Sequence, residues 1–346
     1  MPAISSSAGL HGAAQAYSGP PQLQNSAYLT EWVLNPWVLG FIVVTGGLYL
    51  VGVHRHRAKG GEWRRSQTAF FFGGLSVFAL ITMSFLGAYE RTLFWPRAAQ
   101  NTLLQMLVPM MLALGAPLTL LLHNVSEQAN ERIMRAIHSR PARIMTFPAI
   151  VSAFFLTTPF LLYLSPWFEA AMRSPVQNEI LRFTLLTIGY YYYWARLRVD
   201  PVPHEYPHMV SVWITFAEAV TDGALGIILM WGSFTVAASY YASLNRPFNV
   251  VLHDDQRIGG GAIWVLGDLA GLPFLAALWR RMFGEDRAEA AAIDAVLDEL
   301  EVEQHSNTPQ DQPEAERLPE GHLRPWWESD PVLSRRYGLA TDDPDA

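Results

Sequence analysis

The sequence predicts an all-α membrane protein, a polytopic bundle of seven transmembrane helices followed by an acidic, partly disordered tail. Three observations support this fold class. The chain of 346 residues is 51% hydrophobic and only 16% charged, whereas a soluble domain carries about a quarter charged residues. Seven apolar segments are each long enough to cross a bilayer, which takes roughly 20 helical residues. Basic residues also alternate between the two sets of connecting loops.

The predicted bundle follows a small, polar stretch, residues 1–30, that contains no lysine or arginine. A secretory signal needs a basic start followed by an apolar run, so we expect these residues to form a disordered lead-in. The transmembrane domain is predicted over residues 31–283. Its spans are about 36–53, 67–88, 98–122, 147–165, 178–196, 209–232 and 262–283.

The distribution of arginine and lysine predicts the orientation of the bundle. Thirteen of them lie in the loops after spans one, three and five and at the end of span seven, whereas about five lie in the opposite connections. Cytoplasmic loops carry the excess of basic residues. The N-terminus is therefore expected outside and the C-terminus in the cytoplasm.

The tail has a different composition from the bundle. Residues 284–346 hold 17 acidic residues and 5 arginines, a net charge of −12. Apolar residues recur at helical spacing over 284–304, which predicts an amphipathic cytoplasmic helix. Residues 305–346 are too polar to fold alone. Within them, 324–338 contains two Trp, one Tyr and three Arg, which indicates either a loosely docked tail or a short partner-binding motif.

Polar residues inside the spans provide the candidate site. Arg97, Asn101 and Gln105 are spaced four apart at the start of span three, so on a helix they share one face. From the helical rise, Asp222 in span six and Asp268 in span seven lie roughly 12 Å and 9 Å below the outer surface. The candidate binding residues are Arg97, Asn101, Gln105, Arg182, Glu218, Asp222 and Asp268.

Two interpretations of this polar set remain open. The charged groups form ion pairs that pin the helices together, or they line a site open to the outer face that binds an ion, a proton or a partner's polar group. No nucleophile or cofactor motif accompanies the acids, so we predict a protein that is not an enzyme. The alternative function is a small transporter or a proton- or ion-conducting protein that uses the Asp222 and Asp268 cluster.

Several motifs give the chain a likeness to a known family. These are "YLVGVHRH", "GEWRRSQTAFFFGG", "AYERTLFW", "VPMMLALGAPLTLLL", "VDPVP", "SYYASLNRP" and "DQRIGGGAIWVLGDLAGLP", in this order along the spans. Over roughly residues 31–300 the sequence resembles the bacterial cytochrome c oxidase assembly factor CtaG. The last motif is the most specific.

The resemblance implies a seven-span factor of the bacterial plasma membrane that supports the assembly of heme–copper oxidase. Its partners would be oxidase subunits or other assembly factors within the lipid bilayer, with no nucleic acid. Copper is the cofactor that the resemblance implies. The sequence itself requires none, and because it has no cysteine, soft-metal chemistry falls to Met and His.

The chain departs from the family at the expected copper ligands. Arg97 and Asn101 stand where the family has two histidines, and Asp222 stands in place of a third, whereas Asp268 keeps the family's acidic character. A guanidinium has no lone pair for a metal, and an amide oxygen is a poor copper ligand. We therefore expect a scaffold in which Arg97, paired with Asp222 and Asp268, replaces the metal site.

Overall fold

The computed structural model describes residues 17–203 and 208–307, and within these ranges the chain is helical and has no β-strand. The predicted all-α class is confirmed. The chain divides into two compact units, Met1–Trp279 and Arg280–Ala346. The helices are α1 (Ala27–Thr30), α2 (Pro36–Ala58), α3 (Arg65–Met83), α4 (Phe85–Tyr89), α5 (Phe94–Gln105), α6 (Leu107–Leu114), α7 (Pro117–Asn124), α8 (Glu127–Ile137), α9 (Arg140–Met145), α10 (Pro148–Leu164), α11 (Trp167–Arg173), α12 (Pro175–Leu197), α13 (His208–Trp231), α14 (Ala238–Ser243) and α15 (Leu252–Asn307).

Three of the described helical stretches are long and apolar enough to cross a membrane: α2, α3 and the run Phe94–Asn124, which contains α5, α6 and α7. The pair α10 and α11, bent by 67°, makes a fourth if it is counted as one span. Four of the seven segments predicted from the sequence each correspond to one helix, namely α2, α10, α12 and α13. The segment 67–88 covers α3 and α4, 98–122 covers α5 to α7, and 262–283 lies within the longer α15. The membrane character is thus confirmed, whereas the full set of seven spans and their orientation remain predictions.

The third span is divided into three helices. Pro109 has no N–H to donate to the carbonyl of Gln105, and α5 ends at that residue. Ala116, with a φ of 50°, separates α6 from α7. Gly189 of α12 packs against the first break, where a Cβ would collide with the Gln105 carbonyl oxygen. Glycine therefore allows α12 to approach the interrupted span closely.

Two aspartates that are distant in sequence cap the starts of α5 and α7. Asp255 accepts hydrogen bonds from the backbone N–H groups of Phe94 at 2.8 Å and Trp95 at 3.1 Å. Asp200 accepts from the N–H of Thr119 at 2.7 Å and from its hydroxyl at 2.6 Å. Burial raises the pKa of both carboxyl groups, and these hydrogen bonds oppose the rise. Each cap satisfies amides that a helix start leaves free.

Both ends of the chain extend beyond the described residues. Residues 1–16 of the expected lead-in lie outside them, but residues 17–30 contact the bundle: Tyr89 donates a hydrogen bond to the Pro21 carbonyl at 2.9 Å, and Ala27 is buried. The predicted helix over 284–304 falls within the bounds of α15. The predicted binding motif at 324–338 also lies outside the described residues.

Candidate functional site

The buried ionic cluster centres on Glu90, in the loop between α4 and α5. Arg97 of α5 donates to Glu90 Oε2 at 3.1 Å, and Arg182 of α12 donates to the same oxygen at 3.0 Å and to Oε1 at 3.2 Å. Asn178 donates to Oε1 at 2.7 Å. One carboxylate therefore joins the loop to two helices.

Two further side chains extend the ionic cluster. Gln100 accepts from Arg97 at 2.7 Å and donates to a main-chain carbonyl of α3 at 2.9 Å. Glu179 pairs with Arg182 at 3.1 Å and accepts from Asn35, which caps the start of α2. The ionic cluster thus connects α2, α3, α5 and α12.

The formal charges in the ionic cluster balance, with two arginines against Glu90 and Glu179. Arg97 is 0% exposed and Arg182 is 1% exposed, and burial of this kind requires paired charges. Burial raises the pKa of Glu90, but the charges of Arg182 and Arg97, with the hydrogen bonds of Asn178 and Gln100, outweigh it and lower the pKa overall. Glu90 is accordingly ionised at neutral pH.

A cleft of about 1270 Å³ opens beside the ionic cluster. Its lining includes Glu90, Glu179 and Arg182, the start of α2 and the segment around Tyr17. Arg97 lies behind this lining and does not reach the cleft. Part of the ionic cluster, Glu90, Glu179 and Arg182, is therefore accessible from the cleft.

Deeper along α5, two amides join it to α10. Asn101 donates to the Tyr163 hydroxyl at 3.1 Å, and Gln105 donates to the Phe155 carbonyl at 2.7 Å. Pro159 lies inside α10 and has no N–H, so the Phe155 carbonyl lacks its usual helical donor. Gln105 supplies the missing hydrogen bond. Both amides line a cavity of about 20 Å³, which has room for a single water molecule.

The predicted stripe of Arg97, Asn101 and Gln105 is wholly buried on α5. The structure also brings Arg97 and Arg182 together, through Glu90. The predicted acids are distributed differently, because Asp268 is exposed on α15 and makes no ion pair with the fully buried Arg97. The expected Arg97–Asp268 pair is therefore wrong, and Glu90 takes the place of that acid.

The side chains of Asp222 and Glu218 are outside what the structure describes, although their backbone lies in α13. Their membership of a binding site stays a prediction.

Sequence reasoning missed Glu90, because it lies in a loop and its partner Arg182 is 92 residues away. Two signals could have found the ionic cluster. Glu90 belongs to the "AYERTLFW" motif, and Glu179 precedes Arg182 by three residues, which places them on one helical face.

The described residues provide no evident metal centre. Among them no group of three or more His, Asp or Glu side chains is placed to hold a metal ion. Met106 and Met110 of span three are buried in an apolar cluster with Val151, Phe155 and Tyr192, which matches the packing role that methionine takes in apolar cores.

The apolar helical spans and the buried ionic cluster define an integral membrane protein whose polar centre joins helices. The chain belongs to the cytochrome c oxidase caa3 assembly factor family (Caa3_CtaG), whose model matches residues 47–285. Glu90, Arg97, Arg182 and both capping aspartates lie within the matched range. The resemblance that the sequence motifs indicated is confirmed.

Similar proteins occur in mycobacteria. Uncharacterized proteins of Mycobacterium bovis and Mycobacterium tuberculosis are 28% identical over 286 residues, and one of Mycobacterium leprae is 26% identical over the same length. These matches cover 81% of this chain but 43% of each relative. The chain thus spans less than half the length of these curated relatives. No solved structure matches it.

Proposed function

We propose that this protein supports the assembly of heme–copper cytochrome c oxidase as a membrane docking factor, without holding copper at Arg97 and Asn101. Family membership supports the assembly role. The observation that carries the second part is the pairing of the Arg97 guanidinium with protein groups, beside an Asn101 side chain whose only unpartnered polar atom is the amide oxygen, a poor copper ligand. The Arg97 guanidinium binds Glu90 and Gln100, and the Asn101 amide binds Tyr163.

The chemistry of these groups is consistent with a structural role. A guanidinium cannot donate a lone pair to a metal, and copper prefers thioether, thiolate and imidazole ligands to amides. The ionic cluster positions helices around the cleft and performs no reaction. We accordingly propose a non-catalytic protein whose cleft receives a segment of an oxidase subunit or of another assembly factor.

Metal analysis of the purified full chain tests the copper part of this proposal. We expect less than one copper per ten chains in the wild type and about one per chain only in the variant carrying Arg97→His and Asn101→His. Asn101→His alone serves as the control that leaves the Arg97–Glu90 pair intact. Copper bound stoichiometrically by the wild type and lost in Asp222→Ala would overturn this part.

The assembly role is tested by deleting the gene and measuring heme–copper oxidase in membranes by difference spectroscopy. We expect the oxidase content to fall and to recover with the wild-type gene. Glu179→Ala, which alters the cleft lining, should restore less oxidase than Glu169→Ala, which removes a partly exposed acid outside the cleft. A deletion strain with normal oxidase content would contradict the role.

A further inference from the structure

A second recess lies along the later part of α2, whereas the cleft lies at the start of this helix. It is a groove of about 610 Å³ between α2, α7 and α12. Its walls are mostly apolar, and its rim includes Leu48, Val51 and Leu121, which are 69%, 48% and 49% exposed. Since α2 is a candidate membrane span, an opening bordered by exposed leucine and valine side chains faces hydrocarbon rather than water.

The shape of the groove limits what can fill it. It runs along α2 from Phe41 to Arg55, a length of about 21 Å at the helical rise. A volume of about 610 Å³ over this length describes an elongated channel rather than a round cavity. An extended acyl chain matches this elongated, mostly apolar shape.

One end of the groove carries a positive charge. Of the described residues that line it, Arg55 alone is charged. Among the described residues its guanidinium has no hydrogen-bond or ion-pair partner, unlike Arg57, which donates to the Trp63 carbonyl at 3.5 Å. The adjoining loop adds Lys59 and Arg64, and Arg65 begins α3. A basic group at the end of an apolar groove between membrane helices matches the phosphate and acyl chain of an anionic phospholipid.

We propose that the groove between α2, α7 and α12 is a binding site for one anionic phospholipid, with an acyl chain in the channel and the phosphate at Arg55. This site is separate from the ionic cluster and does not depend on the role in oxidase assembly.

Native mass spectrometry of the detergent-purified full chain tests this site with added phosphatidylglycerol and, in parallel, phosphatidylcholine of the same chains. We expect Arg55→Ala to lower the binding of one phosphatidylglycerol about fivefold and to leave phosphatidylcholine unchanged. Thr45→Phe, which fills the channel, should lower the binding of both lipids. Because Arg55 is exposed, its replacement is expected to leave the fold intact, which a thermal melt checks.

Arg57→Ala is the matched control, since it removes an equal charge from the same last turn of α2, at a residue that does not line the groove. If Arg57→Ala weakens phosphatidylglycerol binding as much as Arg55→Ala, the basic end of α2 attracts lipid through diffuse charge and the site proposal fails. It also fails if Arg55→Ala has no effect, or if Thr45→Phe leaves the binding of both lipids unaltered.

Discussion

At its start, α5 holds the Arg97 guanidinium among charged partners, whereas one and two turns later it holds the amides of Asn101 and Gln105 against neutral ones. The charged groups share a carboxylate, Glu90, so that each depends on the others. Each amide instead makes one hydrogen bond to α10. The comparison indicates that the ionic cluster responds to mutation as a unit, whereas the amides respond one at a time.

Removal of Glu90 should produce the largest effect. Glu90→Ala leaves Arg97 without an acidic partner and Arg182 with Glu179 alone, and an uncompensated buried charge costs about 3–5 kcal/mol. We expect a loss of this size in the free energy of unfolding, measured in detergent by denaturant titration. Adding Arg97→Met should recover more than about 1 kcal/mol, because it restores the charge balance. Strictly additive losses would show that the two groups do not act together.

The amide region should give a smaller and separable effect. Gln105→Leu leaves the Phe155 carbonyl without a donor, and polar contacts between membrane helices are worth about 0.6–1.7 kcal/mol. Pro159→Ala restores an N–H within α10, so we expect Gln105→Leu to be less harmful in that background. The same denaturant titrations measure this cycle. An equal loss in both backgrounds would mean that Gln105 does not compensate for the proline.

The pH dependence of stability distinguishes the two regions further. The pKa of Glu90 is lowered in the folded protein, so its stabilising contribution is present at neutral pH and is lost as the pH falls through that lowered value. We expect Glu90→Gln to show a flatter acid limb in melting temperature than the wild type. Parallel acid limbs in the two proteins would contradict this assignment.

Two aspartates form the background to that measurement. The raised pKa values of Asp200 and Asp255 act in the opposite direction, because the stability associated with them declines as the pH rises. The wild type and the Glu90→Gln variant both retain Asp200 and Asp255, so the difference between their acid limbs reports on Glu90 alone.

An exposed ion pair should give the smallest effect. Arg173 and Glu169 lie four residues apart on α11, and an Arg173 guanidinium nitrogen is 2.6 Å from Glu169 Oε1. The arginine side chain is 49% exposed. Solvent-exposed pairs contribute about 0–1 kcal/mol, so Arg173→Ala should change the free energy of unfolding by less than 1 kcal/mol. The denaturant titration for Glu90→Ala provides the direct comparison. If Arg173→Ala lowered the free energy of unfolding as much as Glu90→Ala does, burial would not determine how much an ion pair contributes to stability.

The sequence was sufficient for those features that depend on local pattern. Apolar segments located the long helices, and the four-residue spacing placed Arg97, Asn101 and Gln105 on one buried face. The partners of these residues could not be predicted from the sequence, because tertiary packing sets the rotation of each helix about its axis. Asp268 is exposed for that reason, although its depth along the span suited a pair with Arg97. Glu90 was overlooked because a loop acid has no periodicity.

The aspartate caps have a consequence for synthesis of the chain. Asp255 lies 161 residues after Phe94, so the first amides of α5 have no carboxylate until translation has reached the beginning of α15. Asp200, which serves α7, emerges about 81 residues after its partner Thr119. The third span therefore acquires its caps only after later parts of the chain have been synthesised. A nascent chain that stops short of residue 255 lacks the carboxylate that caps the start of α5, which is the end nearest the ionic cluster.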